Sequence, residues 1–293
     1  MTSIPGGTLR MGSDDHYPDE RPVHEREVAD FFIDPFEVTN AQYRAFVTDT
    51  GYVTVAERAL EAGQFPGADP ADLVPGSMVF TPTAGPVDLS DWRQWWRWQP
   101  GASWRHPFGP ASSLDGRETH PVVHVAYEDA AAYATWVGKR LPTEAEHEWA
   151  SRGGLVGARY AWGDEPHPGG RVLANTWLGR FPYDNRGVGD AAPVGSYPAN
   201  GYGLFDMIGN VWEWTSDYYA PRHQRPVDRA VDTGARANLL AEPGFAAMPR
   251  RVLKGGSHLC SPDYCLRFRP AARSAQAEDT GMSHIGFRCA HDA

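Results

Sequence analysis

The chain has 293 residues, of which 41% are hydrophobic, 12% aromatic and 22% charged, and these values exclude disorder of the whole. A formal net charge of −10 leaves no broad basic face for nucleic acid or an anionic membrane, and no run approaches the roughly 18 apolar residues of a membrane span. The opening "MTSIPGGTLRMGS" lacks the charged and apolar regions of a secretory signal, so a cytoplasmic setting is expected, and three cysteines cannot build a disulfide framework.

The 31 glycines, 25 prolines and 11 tryptophans predict many turns and loops pinned by large aromatic side chains. The first helix is expected after Thr39, which stands three residues before Gln42 as in a capping box; Tyr43, Phe46 and Val47 share one face, and Gly51 ends it. A short strand is expected at "SMVFTP". Trp92, Trp95 and Trp96 then have helical spacing, cut short by Pro100 and Gly101; burial statistics favour a core role, with the wall of a peptide cleft as the alternative.

A second helix carries the stripe Ala130, Tyr133, Ala134 and Val137 up to Gly138. A third opens with Pro142 and the Thr143 to Glu146 capping box and stops at Gly153 and Gly154. From Pro221 to Pro249 the apolar period fades, which predicts a long surface loop. Short strands follow at "RVLKGGS", "CLRFRP" and "IGFRCA". No linker or internal repeat divides the chain, so one α+β domain over 1–293, low in regular secondary structure, is predicted.

Cys260 and Cys265 stand five positions apart, and Pro262 between them argues for a loop that turns both sulfurs inward. Residue chemistry leaves several readings open. They are inert buried thiols, a redox pair, a zinc site completed by His258 and Cys289, or a two-thiolate site for Cu(I), which soft sulfur ligands select. Cys289 lies in the alternating stretch "IGFRCA", where a small buried thiol is the simplest reading.

The neighbours narrow these readings. "KGGSHLCSPDYCLRFRPAARS" followed by "HIGFRCA" resembles the C-terminal signature of the formylglycine-generating enzymes, the sulfatase-modifying factors. So do "IPGGTLRMGS", "FEVTNAQYRAFV", "HPVVHVAYEDAAAYATWVGKRLPTEAEHEWASRGG", "YAWGDE" and "NGYGLFDMIGNVWEWTSDYY", in order from about Ile4 to Ala290. Most of these blocks are shared with the wider superfamily and its C-type-lectin-like fold, whereas the cysteine pair marks the active enzymes.

The resemblance implies that Cys260 and Cys265 hold Cu(I), with Cys260 the more labile thiolate and Cys265 the more buried anchor. It implies an oxidase that converts the cysteine of a Cys-X-Pro-X-Arg motif in an unfolded sulfatase polypeptide to Cα-formylglycine, consuming dioxygen and a thiol reductant. Ser257 matches an active-site serine, Trp212 and Tyr264 match aromatic pocket positions, and Arg267 and Arg273 match further family positions, with a structural ion pair as the simpler role. Structural calcium is implied at Asp206, Gly209, Val211 and Glu213, and a second calcium at Asn175 and Thr176, with Asp190 standing in for a missing acidic element.

Three departures stand out. His284 occupies a position that is often asparagine beside the active site, and His147 replaces a usual tryptophan, which predicts a neutral, hydrogen-bonded core histidine. Cys289 matches a residue that is disulfide-bonded in secreted members, but its partner is missing. The rivals to an oxidase are a non-catalytic lectin-like binding module and an iron-dependent sulfur oxidase, whose histidine-rich helical domain is not found in the sequence.

Overall fold

A computed structural model describes residues 1–60, 69, 73–223 and 249–293. The predicted loop Pro221–Pro249 lies, over 224–248, outside the described residues. The chain begins with β1 (Thr2–Ile4), β2 (Gly7–Met11), β3 (His24–Val28) and β4 (Phe31–Ile33), then α1 (Asn40–Thr50), β5 (Gly76–Phe80) and β6 (Trp96–Pro100). Next come α2 (Tyr127–Trp136), α3 (Glu144–Arg152), β7 (Gly179–Arg180), β8 (Asp184–Asn185) and β9 (Trp212–Tyr218). It finishes with β10 (Arg250–Lys254), β11 (Arg273–Ala277), β12 (Ile285–Gly286) and β13 (Ala290–Asp292). Short strands and long irregular segments give the α+β architecture expected, low in regular structure.

Two sheets organise it. Antiparallel β1-β4-β13 joins the first and last strands, and β11-β10-β9-β12 forms the second sheet, in which β12 runs parallel to β9. Tyr43 and Phe46 of α1 and Tyr133 of α2 pack with Trp104, Trp214 and Phe287 in the larger core. The Tyr43 ring meets Phe46, Trp104 and Phe287 edge-on at 5.2–6.3 Å between centroids, the favoured aromatic geometry.

The helix ends follow the sequence. Thr39 Oγ1 accepts from the Gln42 amide at 3.3 Å while Gln42 Oε1 accepts from the Thr39 amide at 2.9 Å, and the Thr143/Glu146 box closes likewise at 3.2 and 2.7 Å. Helix α2 is capped by Asp129, whose carboxylate accepts from the Ala126 amide at 2.8 Å, a pairing that spacing from a Ser or Thr would not reveal.

Three expectations are corrected. Trp92, Trp95 and Trp96 do not share a helix face: 92–94 form one 3-10 turn and Trp96 starts β6, leaving Trp92 52% exposed and Trp95 0%. "CLRFRP" is not a strand, because its polar groups are taken by side chains: the Leu266 amide donates to Tyr17 Oη at 3.0 Å and Arg269 Nε donates to the Leu266 carbonyl at 2.7 Å. "IGFRCA" is two strands, its first residues pairing with β9 and its last with β4.

The inward face of α3 is charged. Glu144, His147, Glu148, Ser151 and Arg152 are all buried. Glu144 takes both its oxygens to Arg273 at 2.7 and 3.0 Å, and Glu148 meets Lys254 at 3.1 Å and Arg152 at 2.7 Å. Beside them Glu213 of β9 receives two bonds of 2.7 Å from Arg288 and lies 3.1 Å from His147 Nε2. His147 is thus the neutral, hydrogen-bonded core residue expected, its pKa lowered by burial against the pull of Glu213.

Removing one member of a buried pair strands the other charge. Arg288→Leu should therefore cost about 3–5 kcal/mol in urea unfolding, and a loss below about 1 kcal/mol would contradict this account. Burial alone would raise the pKa values of Glu144, Glu148 and Glu213, but Arg273, Lys254 and Arg288 respectively outweigh it, and each falls from 4.5 to about 2. Lowered carboxyl pKa values stabilise the fold above the unfolded value, and this contribution vanishes as pH falls through the folded one. Unfolding free energy should drop steeply between about pH 5 and 2; a flat profile there would exclude these pairs as the cause.

Candidate active site

Strand β10 leads directly into the site. After Lys254, Gly255 and Gly256 adopt left-handed φ of 91° and 77°, and a Cβ on Gly256 would lie 2.9 Å from the Arg267 carbonyl oxygen and the Phe268 Cα. Only glycine lets the strand turn there while the returning segment 267–268 passes this close. The loop then folds on itself: the Cys260 amide donates to the Ser257 carbonyl at 2.9 Å and the Cys265 amide to the Ser261 carbonyl at 2.7 Å.

These turns bring Cys260 Sγ and Cys265 Sγ to 3.4 Å, both free thiols. The Ser257 amide donates to Cys260 Sγ at 3.4 Å, and the Ser257 hydroxyl accepts from the Leu259 amide at 3.3 Å. The burial order is the reverse of the one expected: Cys260 is 2% exposed and packs in the main core, while Cys265 is partly exposed, following the solvent-facing turn at Pro262 and Asp263. Hydrogen bonding from Cys260, and beyond it the Arg267 guanidinium, lowers the Cys265 pKa against burial; burial and the adjacent sulfur push Cys260 well up. Cys265 is therefore the more readily ionised of the two sulfurs.

Both sulfurs line an open cleft of about 370 Å³, with Ser257, Trp212, Tyr264, Arg267 and His284 also in its wall. Tyr264, 38% exposed, stacks on Phe181 at 4.5 Å with 2° between planes and meets Trp95 edge-on. Within the tryptophan stretch Trp95 is core and cleft wall at once and Trp96 also lines the cleft, whereas exposed Trp92 does neither. Tyr17, Leu259 and Ser274 complete the lining and carry no sequence signal of their own.

Arg267 is held by Asp19 at 2.9 Å and lies 4.0 Å over the Tyr17 ring. Arg273 is not in the cleft: it is buried on Glu144, with Nη1 also donating to the Asp19 and Ala220 carbonyls, and has the ion-pair role. A zinc site from Cys260, His258 and Cys289 does not form, for among the described residues no three such ligands meet and His258 Nδ1 bonds the Asn210 carbonyl at 2.9 Å.

The turn before β9 is strained, with left-handed φ of 54° at Asp206, 86° at Gly209 and 52° at Asn210. Asp206 Oδ2 accepts from the Gly195 amide at 2.7 Å. Both Glu213 oxygens accept from Arg288, at 2.7 Å each. The carboxylate beside Asp206 that sequence reasoning missed is Glu37, buried, with Oε1 taking Asn210 Nδ2 at 3.0 Å and Oε2 without a partner among the described residues. Burial and then Asp206 hold its pKa well above the ordinary range, as expected of acids facing each other without a cation. At the second predicted position Asn175 Nδ2 donates to the Asp190 carbonyl at 2.8 Å beside buried Thr176, but the Asp190 carboxylate faces Arg117 at 2.5 Å.

The family model described as the sulfatase-modifying factor enzyme 1-like domain matches residues 1–293. The chain is 57% identical to the formylglycine-generating enzyme of Mycobacterium tuberculosis over 297 residues, covering 100% of this chain and 97% of that one. It is 46% identical to the enzyme of the same name from Streptomyces coelicolor, covering 99% and 88%. Among solved structures it resembles PvdO from Pseudomonas aeruginosa with a TM-score of 0.63 and 25% identity, over 99% of this chain and 93% of that one.

In the metal-free protein, iodoacetamide should label Cys265 before Cys260 and leave buried Cys289 unlabelled until unfolding, read by peptide mass. Equal labelling of Cys260 and Cys265 would rule out this order of acidity and exposure.

Proposed function

We propose, since this chain belongs to the sulfatase-modifying factor family, that it generates formylglycine by oxidising the cysteine of a Cys-X-Pro-X-Arg motif in an unfolded sulfatase chain. The observation that carries the reading is the 3.4 Å cysteine pair in the wall of an open cleft. A lectin-like module would need a cleft but has no use for two thiols 3.4 Å apart in its wall.

The donor set fits Cu(I): two soft sulfurs converge, the Cys265 thiol held below its ordinary pKa, with no imidazole or carboxylate bonded to either among the described residues. When bound, the ion would supply the one-electron chemistry toward dioxygen that side chains cannot. Cys265 and Cys260 would hold it, the Ser257 amide fixes the Cys260 sulfur, and Arg267 helps lower the Cys265 pKa. The aromatic wall of Trp95, Trp96, Phe181 and Tyr264 receives an extended polypeptide and keeps water from the reacting sulfur. A thiol reductant returns the electrons that dioxygen needs beyond those of the substrate.

Calcium at the Asp206 turn, with Glu37 as its second carboxylate, would relieve the repulsion between these two acids. The second calcium has weaker support, since Arg117 already neutralises Asp190. Three free cysteines suit a reducing cytoplasm, and no helix among the described residues is long and apolar enough to cross a membrane.

The test is to incubate the protein with Cu(I), air, a thiol and a Cys-X-Pro-X-Arg peptide and look for the aldehyde by mass. Cys260→Ser and Cys265→Ser should each lower copper affinity and turnover more than about a hundredfold, exceeding the usual cost of disturbing an outer-shell partner. Absence of aldehyde from folded wild-type protein would reject the reading.

A further inference from the structure

The two sulfurs are held in place by different means. Cys260 is fixed by its own core surroundings: its amide donates to the Ser257 carbonyl at 2.9 Å, its carbonyl accepts from the Trp177 amide at 3.0 Å, and its Sγ accepts from the Ser257 amide at 3.4 Å. Cys265 follows the exposed turn 262–264, and on that side its amide donates to the Ser261 carbonyl at 2.7 Å. On the other side 265–268 belong to no helix or strand, so no ladder of a sheet secures them. The first main-chain donor there, the Leu266 amide, bonds instead to the Tyr17 hydroxyl at 3.0 Å, across 249 positions of sequence.

A local turn presents Tyr17 to this segment. Pro18 opens the 3-10 turn Pro18–Glu20, and the Glu20 amide closes it on the Tyr17 carbonyl at 3.1 Å. Residues three apart on such a turn face the same way, so Tyr17 reaches Leu266 while Glu20 reaches Arg269, again three residues apart. The ring of Tyr17 is engaged as well, with the guanidinium carbons of Arg267 and Arg269 at 4.0 and 5.8 Å from its centroid. Phenylalanine would keep these ring contacts and lose only the hydroxyl.

From this arrangement we infer that Tyr17 is a positioning residue for the thiol pair: its hydroxyl secures the main chain at Leu266 and so keeps the adjoining Cys265 sulfur against that of Cys260. Without the hydroxyl, the segment that carries Cys265 is tied through the Ser261 carbonyl before it, while Cys260 keeps all three of its bonds. Tyr17 in this role deepens the reading of the pair as the reacting centre, on which it rests.

The test measures how strongly the two thiols act together in the full-length, metal-free protein, equilibrated with reduced and oxidised glutathione. Cys265 attacks the glutathione disulfide and releases one glutathione; Cys260 then attacks the Cys265 sulfur of the mixed disulfide and releases the second. The pair gives up two electrons and two protons, and the glutathione disulfide takes them up. The equilibrium constant, read by peptide mass after acid trapping, reports the effective concentration of one sulfur at the other. Tyr17→Phe should lower it roughly three- to tenfold, the range expected for one hydrogen bond. Tyr219→Phe, which removes a hydroxyl bonded to Asp19 at 3.2 Å, should leave it unchanged. Both variants should lower the thermal midpoint of the reduced protein by a similar few degrees, so a difference between them in the thiol equilibrium is not general loosening. Cu(I) affinity, read by competition with a chromophoric chelator, should fall in Tyr17→Phe alone. An equilibrium constant for Tyr17→Phe within about twofold of wild type, or an equal fall in Tyr219→Phe, would overturn the inference. Failure of the sulfatase reading would show separately, as a wild-type protein that closes its disulfide but forms no aldehyde.

Discussion

Charge buried between α3 and the second sheet is the constraint on which the rest of the structure depends. Three interior carboxylates, Glu144, Glu148 and Glu213, must each face a cation in good geometry or forfeit more than their pairing returns. Their partners are spread along the chain: Lys254 at the end of β10, Arg273 at the start of β11 and Arg288 just after β12. Such pairing fixes register as well as energy, because a strand slipped by one residue would turn its cation to the other face. The thiol loop springs from Lys254 and its return leg ends at Arg273, so both anchors of the site are set by this layer.

Much of this was legible in the sequence where local chemistry dictates it. The boxes at Thr39 and Thr143 and the glycines at 51 and 153 placed both ends of two helices, because capping is settled within four residues. The misread stretches failed for the opposite reason. "CLRFRP" alternates like a strand, but partners from Tyr17 and from its own arginines take its backbone groups, and the tryptophans at 92, 95 and 96 are divided by a turn that hydrophobic spacing cannot register.

For the site, residue type and family resemblance reached the cysteine pair, Ser257 and the pocket aromatics, and the fold gathers them into one cleft. They did not reach what depends on distant partners. Arg273 leaves the pocket because Glu144 is its neighbour, and Glu213 is paired with Arg288. Glu37 was visible within "FEVTN", but nothing nearby in sequence announces that it ends beside Asp206. The burial order of the two cysteines likewise follows from the turn between them rather than from their spacing.

The grip of the N-terminal segment on the return leg of the thiol loop joins the two ends of the chain. Glu20 clasps Arg269 across a sequence separation of 249, and Asp19 and Tyr17 hold the adjoining residues. Contacts that span nearly the whole polypeptide form only when both ends are present. The return leg of the thiol loop is therefore secured only once residues near both ends of the polypeptide have met, and a chain cut short before Arg269 would lack this clasp.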